Sequence, residues 1–313
     1  MGKDNKFNFL VSSGWFSDIN KKTEMGKNMI NHIKKGNYGS LRSRSLEFSE
    51  YWLSSILNQS IKPKKICILD ADSPDKMSDN VYNNNLVEVS YQIRNFGHGV
   101  FTSKRNILCG WARSVLYGAM QAYINNLDFV YIEQDLLLFG EDFLKNIFLK
   151  MDNEKKKICY MDGDDTPQKI QQSLIIVKYD YLHIYISDLL SDEDHTQSEE
   201  EKHFNIINNK YLLYSPYRGG RQRRNLDPNF FCLQHLSDNE INYYLKEGKI
   251  INNFNKSGIN NFRKKEGFVN NLNGDINDIK ILIFDLLIVF ILIYLLIYVI
   301  KRYKSILCLN IKN

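Results

Sequence analysis

The chain has 313 residues, 43% hydrophobic and 13% aromatic, which excludes a wholly disordered polypeptide and allows one large domain or two small ones. A formal net charge of +5 is too mild to indicate nucleic acid as a partner, and suits anionic membranes or phosphorylated substrates. Cys67, Cys109, Cys159, Cys232 and Cys308 are far apart, odd in number and without CxxC spacing; the first four sit in apolar segments, so buried thiols there and a reducing compartment are expected.

The opening, MGKDNKFNFLVSS, carries no secretory pattern, and Lys6 spoils a myristoylation signal. Residues 7–12 predict a buried first strand. Leu46, Phe48, Trp52, Leu53, Ile56 and Leu57 fall at helical spacing, and Pro63 ends that pattern. A second strand over 65–69 runs into Asp70-Ala71-Asp72-Ser73-Pro74, and Val87–Tyr91 alternates as a third. A Gly-containing loop at 95–99 precedes a helix over 111–124. A fourth strand over 129–132 ends in Glu133-Gln134-Asp135. Residues 158–161 and 174–177 read as further strands, and a short helix opens at Glu199-Glu200-Glu201 and ends near Ile207. This alternation predicts a mainly parallel α/β sheet with helices on both faces, where ligands bind beyond the C-terminal ends of the strands.

That domain is expected over 1–247, followed by an Asn/Lys-rich linker over 248–279. The run ILIFDLLIVFILIYLLIYVI (281–300) has the length of a bilayer-spanning helix, about 30 Å at 1.5 Å per residue. Lys280 precedes it and Lys301, Arg302 and Lys304 follow, so a transmembrane helix over 280–301 with a short basic tail over 302–313 is expected. The implied localisation is a single-pass, C-terminally anchored membrane protein with its larger domain on the cytosolic side.

The acids at the strand ends are the candidate site. On an extended segment Glu133 and Asp135 point the same way and are able to share one Mg²⁺ or Mn²⁺ with substrate phosphates; a solvated strand end is the plain alternative. Asp70 and Asp72 fit recognition of a nucleotide base or ribose, against a simple turn before Pro74. His235, flanked by apolar residues, is either a third metal ligand or a satisfied core histidine. Arg221 lies in the basic Gly-containing loop RGGRQRR (218–224), suited to phosphate or merely solvated. Glu199 and Glu200 open a helix, where acids favour the dipole, and either is a candidate general base.

Several blocks resemble, in order, the GT-A class of nucleotide-sugar glycosyltransferases, most like family 2. They are the helix from Arg44 through Gln59-Ser60, the strand end Asp70-Ala-Asp72-Ser-Pro-Asp75, the Asn95-Phe-Gly97 turn, and Ala112-Arg113-Ser114 leading to Glu133-Gln-Asp135. The resemblance covers about 7–139 well and 173–237 loosely. It implies a Rossmann-like GT-A fold, a UDP- or GDP-sugar donor, a divalent cation (Mn or Mg), a glycan, lipid or protein acceptor, and inversion. It would place Ser12 or Ser13 and Asp70 in the nucleoside pocket, with Asp72 beside them and Arg113 at the diphosphate. Asp135 would bind the metal, with Glu133 as the first acid of the motif and His235 joining. Glu200, Glu199 or Asp194 would take the acceptor's proton, with Asp192 and Glu193 as rivals. Two departures are a Glu where the motif has Asp, and no clear Glu-Asp pair in the second half. The alternatives are a membrane-tethered GT-A-like binding module without activity, and a nucleotidyltransferase. The latter is disfavoured because only Ser12-Ser13-Gly14-Trp15 stands where a Gly-rich phosphate loop with Arg and Lys belongs.

Overall fold

The computed structural model describes residues 7–24, 26–28, 31, 39–97, 108–163, 169–191, 198–206, 210–217, 219–221, 223 and 225–254. All of them fall within one unit, Met1–Ser257.

A seven-stranded mixed sheet forms the centre, in the order β3-β2-β1-β4-β7-β6-β8. Its strands are β1 (Phe9–Trp15), β2 (Lys65–Asp70), β3 (Val87–Tyr91), β4 (Asp128–Ile132), β6 (Ile158–Gly163), β7 (Lys169–Val177) and β8 (Leu212–Tyr214). β1, β2, β3 and β4 are mutually parallel, as are β6 and β8. β7 runs antiparallel to both β4 and β6, which makes the sheet mostly rather than wholly parallel. The cause is local: only residues 164–168 separate β6 from β7, too few for a parallel crossover. A second sheet, β5-β10-β9, is built from Leu136–Phe139, Phe231–Gln234 and Gly219–Gly220.

Alternation along β1 assigns the two faces. Phe9, Val11 and Trp15 enter a core with α1 (Leu46–Leu57), α4 (Phe143–Asn153) and β5. Leu10 enters a second core with α3 (Gly110–Ile124) and α5 (Tyr179–Ser191). Two remaining α-helices, α2 (Asp79–Tyr82) and α6 (Glu199–Ile206), flank these layers, and α7 (Asp238–Lys246) closes the second sheet. Ser45 caps α1 by accepting from the Phe48 N–H, a bond worth about 1 kcal/mol to the helix. Trp52 on that helix meets Trp15 edge-on at 6.4 Å, tying α1 to the C-terminal end of β1.

The fold continues past Glu247. Ile250 is buried, the Asn252 amide donates to Glu50 Oε2 at 2.7 Å, and the Asn253 N–H donates to Ser54 Oγ at 3.2 Å. Residues 248–254, read from composition as the start of a linker, thus pack on α1. Among the described residues no helix is long and apolar enough to cross a membrane, which corrects the membrane-anchored localisation expected from the sequence. The apolar run 281–300, the tail and residues 255–279 lie outside the described residues.

Candidate functional site

Four parallel strands end together, and the chain just beyond β1 links the ends of β2 and β4. The Phe16 N–H donates to Gln134 Oε1 at 2.6 Å, and Gln134 Nε2 returns a bond to the Phe16 carbonyl at 3.2 Å. The Ser17 N–H donates to Ser73 Oγ at 3.1 Å, while the Ser73 N–H donates to Asp70 Oδ1 at 2.7 Å. Ser17 Oγ donates to the Arg44 carbonyl at 2.6 Å. The acids after β2 and those after β4 are therefore joined through two residues, Phe16 and Ser17. The pairing follows the parallel register, in which Trp15 lies opposite Asp70 and Ser12 opposite Tyr131.

A second set of residues arrives from the end of the domain. β10 runs antiparallel to β5, with Gln234 opposite Leu136, so the next residue, His235, meets Asp135. Its Nε2 lies 3.5 Å from Asp135 Oδ2. His235 adopts φ +55, a left-handed conformation uncommon for a residue with a side chain. The capping box of Ser237 and Glu240 then starts α7 immediately beyond it.

The third contributor is a one-turn 3₁₀ helix, Leu41–Arg44. Gly39 before it has φ +65 and lies directly on His235, so that an added Cβ would fall 2.4 Å from the histidine's carbonyl carbon. The Ser40 N–H donates to the Leu236 carbonyl at 2.9 Å. This docking brings Arg44 Nη2 to 3.0 Å from Asp135 Oδ2.

Asp135 is fully buried, and its neighbours determine its state. Besides Arg44 it accepts from Gln234 Nε2 at 3.1 Å on Oδ1, and the same nitrogen lies 2.6 Å from Glu133 Oε2. Burial pushes its carboxyl up, but Arg44, His235, the Gln234 amide and Arg221 together hold it below the ordinary carboxylate range. His235 is pushed down to about 4, chiefly by burial, with Arg221, Arg44 and Arg223 adding repulsion against the attraction of Asp135. It is neutral at pH 7. Asp70 goes the other way: burial raises it, and the N–H and hydroxyl of Ser73 offset only part of that.

The residues expected from the sequence are distributed as follows. Glu133, Asp135 and His235 all lie at this tip, as does Arg221, whose charge is felt by both Asp135 and His235. Asp70 ends β2 as a buried acid, and Asp72 beside it is exposed at φ +60. Ser12 is buried under α3, where a Cβ on Gly118 would fall 2.4 Å from its Oγ. Ser13 is also fully buried, its Oγ turned to the Gly14 carbonyl at 3.2 Å. Both serines fill the sheet's interior, and Phe16 and Ser17 reach the tip instead. Arg113 stacks on Phe96, 3.6 Å from the ring centroid, and its Nε donates to the Leu108 carbonyl at 2.8 Å, so its contacts are with the loop before α3. Glu199 and Glu200 open α6, whose Lys202 and His203 are buried. Asp192, Glu193 and Asp194 lie outside the described residues.

Sequence reasoning missed Arg44, Gln234, Ser17 and Ser73. Arg223 was also passed over as a structural residue. It binds Glu240 Oε1 at 2.6 Å and the carbonyls of Gly220 and Gln234 at 2.6 and 2.7 Å, fastening β9, β10 and α7 around the tip.

The residues present do not fit a resident divalent cation. Both oxygens of Asp135 already receive donors, one of them a guanidinium, and Glu133 receives the second hydrogen of the same amide. Among the described residues no three His, Cys, Asp or Glu side chains are placed to share a metal ion. The tip instead presents cations around a buried acid, an arrangement that attracts an anion such as a phosphate.

No family model matches the chain, and no curated protein sequence matches it. Solved structures similar to it include mouse xyloside xylosyltransferase 1 in its apo form, at 8% identity and a TM-score of 0.40, covering 74% of this chain and 99% of that one. A mannosyltransferase from Pyrobaculum calidifontis in complex with GDP-Man and Mn2+ is similar at 11% identity and a TM-score of 0.40, over 80% of this chain and 63% of that one. A putative glucose-1-phosphate thymidylyltransferase from Bacillus anthracis is similar at 12% identity and a TM-score of 0.40, over 79% and 96%. At these scores the likenesses bear on neither activity nor substrate.

Proposed function

We propose that this chain is a GT-A-type glycosyltransferase, with the block order of family 2, that moves a sugar from a UDP- or GDP-sugar to a hydroxyl of a glycan, lipid or protein acceptor. One observation carries the reading. The buried acids Asp70 and Asp135 and the cations Arg44 and Arg221 gather at the C-terminal ends of four parallel strands, where such sheets hold nucleotides.

In this reading Asp70, with Ser73, faces the nucleoside, and Arg44 and Arg221 face the diphosphate. The acceptor oxygen bonds to the anomeric carbon as the bond from that carbon to the diphosphate oxygen breaks. The acceptor's proton goes to a carboxylate, for which Glu199, Glu200 and Asp194 remain the candidates. The departing diphosphate gains charge, and guanidinium groups stabilise it. A single displacement of this kind inverts the anomeric centre.

The test uses the purified full chain with UDP-glucose, UDP-galactose, UDP-N-acetylglucosamine and GDP-mannose, reading release of the nucleoside diphosphate. Release from one donor supports the proposal; a chain that neither binds nor cleaves any of them overturns it. Full pairing of Asp135 also favours a second reading, a binding module on the same fold, and calorimetric binding without release would identify it.

A further inference from the structure

The carboxylate that the motif reserves for a cation is committed to Arg44, and the guanidinium is only half used. Its Nη2 is fastened to Asp135 Oδ2 at 3.0 Å, while its Nε and Nη1 make no hydrogen bond to any described residue. The side chain is anchored on a fully buried acid and is itself 15% exposed. The Ser17 hydroxyl holds the Arg44 carbonyl, and the segment leading to it is held where the Ser40 N–H donates to the Leu236 carbonyl. Gln234 occupies the other oxygen of Asp135 and one oxygen of Glu133, donating both hydrogens of one amide. The usual division of labour is thus inverted: the acid orients an arginine, and the arginine keeps Nε and Nη1 for another acceptor.

We infer that Arg44, oriented by Asp135, binds the diphosphate of the donor directly, and that donor binding at this tip requires no divalent cation. The inference rests on the donor site proposed above. A guanidinium fork matches two phosphate oxygens at once, and its charge is permanent, so it serves the place a metal would otherwise fill. Arg221, exposed and close enough to bias both Asp135 and His235, supplies a second positive group near the pair. Asp135 is here a positioning residue: it touches Arg44 rather than the donor.

The experiment is calorimetric titration of the full chain with UDP, GDP and inorganic pyrophosphate, each in EDTA and again in Mn²⁺. The expected result is a Kd that differs by less than about threefold between the two conditions. In EDTA, Arg44→Lys should weaken binding by about tenfold or more, because the charge stays and the fork is lost. Removing Arg44 alone strands a buried acid, so the double variant Arg44→Gln/Asp135→Asn accompanies it. That variant should keep a cooperative thermal transition and lose diphosphate binding. Depletion of free Mn²⁺, followed by its paramagnetic resonance signal, should not exceed that of a protein-free control. Binding that appears only with Mn²⁺, or tightens more than about tenfold with it, overturns the inference while leaving the donor reading intact. Unchanged binding by both Arg44 variants overturns it too. If none of the three probes binds in either condition, the donor reading fails and the inference falls with it.

Discussion

One side-chain nitrogen serves two acids: Gln234 Nε2 lies 2.6 Å from Glu133 Oε2 and 3.1 Å from Asp135 Oδ1. The geometry uses both amide hydrogens, and no other side-chain type of that length offers two donors without a charge. Gln234→Leu keeps the β10 backbone and removes the bridge. It should lower stability by about 2–3 kcal/mol, since a buried carboxylate then lacks one partner. Urea unfolding of the two proteins reads this directly, and a loss under half a kcal/mol would mean that the bridge is ornamental.

Asp135→Ala should be severely destabilising, by roughly 3–5 kcal/mol, because it leaves the largely buried Arg44 without its carboxylate partner. Asp135→Asn keeps the shape and should be milder, while donor cleavage falls on the order of a hundredfold or more through the misplaced Arg44. Comparing unfolding midpoints with nucleoside diphosphate release separates the two effects. A stable, fully active Asp135→Asn protein would remove this acid from the site.

The third expectation concerns Gly39. Its φ of +65 and the 2.4 Å approach of an added Cβ to the His235 carbonyl carbon leave no space for a side chain. Gly39→Ala should therefore push the 39–44 segment off the tip. Stability should fall by more than about 1 kcal/mol and diphosphate binding should fall with it, because Arg44 is carried on that segment. Normal binding in this variant would show that Arg44 is placed by something else.

Acid should weaken the fold through His235. Its folded-state value, about 4, lies below the 6.5 of an unperturbed histidine, so the unfolded chain binds the proton more readily. The stabilisation is complete above pH 6.5 and is lost as pH falls toward 4, on the order of 3 kcal/mol in all. Asp135, held below its ordinary 3.8, adds a further loss only at still lower pH. His235→Asn tolerates the left-handed backbone and cannot take up that proton. Unfolding midpoints at pH 7 and pH 4.5 should drop less in this variant than in the parent, and equal drops would contradict the assignment.

Much of the central sheet was legible because strand and helix periodicity were unambiguous there. Leu46–Leu57 and Val87–Tyr91 appear with the expected bounds, and the fourth strand ends at the acids as its pattern indicated. The direction of β7 was not legible, since apolar runs such as LIIV carry no sign of which way they pair. The same limit concealed β5, which reads as a continuation of the preceding strand. The site was half legible. Acids and a histidine announce themselves by type, whereas Gln234 is a neutral residue inside an apolar strand. Arg44 stands before a helix, where nothing local distinguishes it from a solvated turn. Their roles exist only through pairings of residues about a hundred or more apart, Arg44 with Asp135 and Glu133 with Gln234. Arg113 misled for the converse reason: its motif context is persuasive, but Phe96 and Leu108 hold the side chain.

The pairing of β10 on β5 has an evolutionary corollary. The stretch between Arg223 and Phe231 carries the chain back from the tip and holds none of the residues assigned there, so insertions in it need not disturb the chemistry. A slip of a single position within β10 would trade the amide for the imidazole across the acidic tip and turn both to the wrong side. Lineages descending from this protein should accordingly vary freely in the length of that return loop and hardly at all in the count from Phe231 to Ser237.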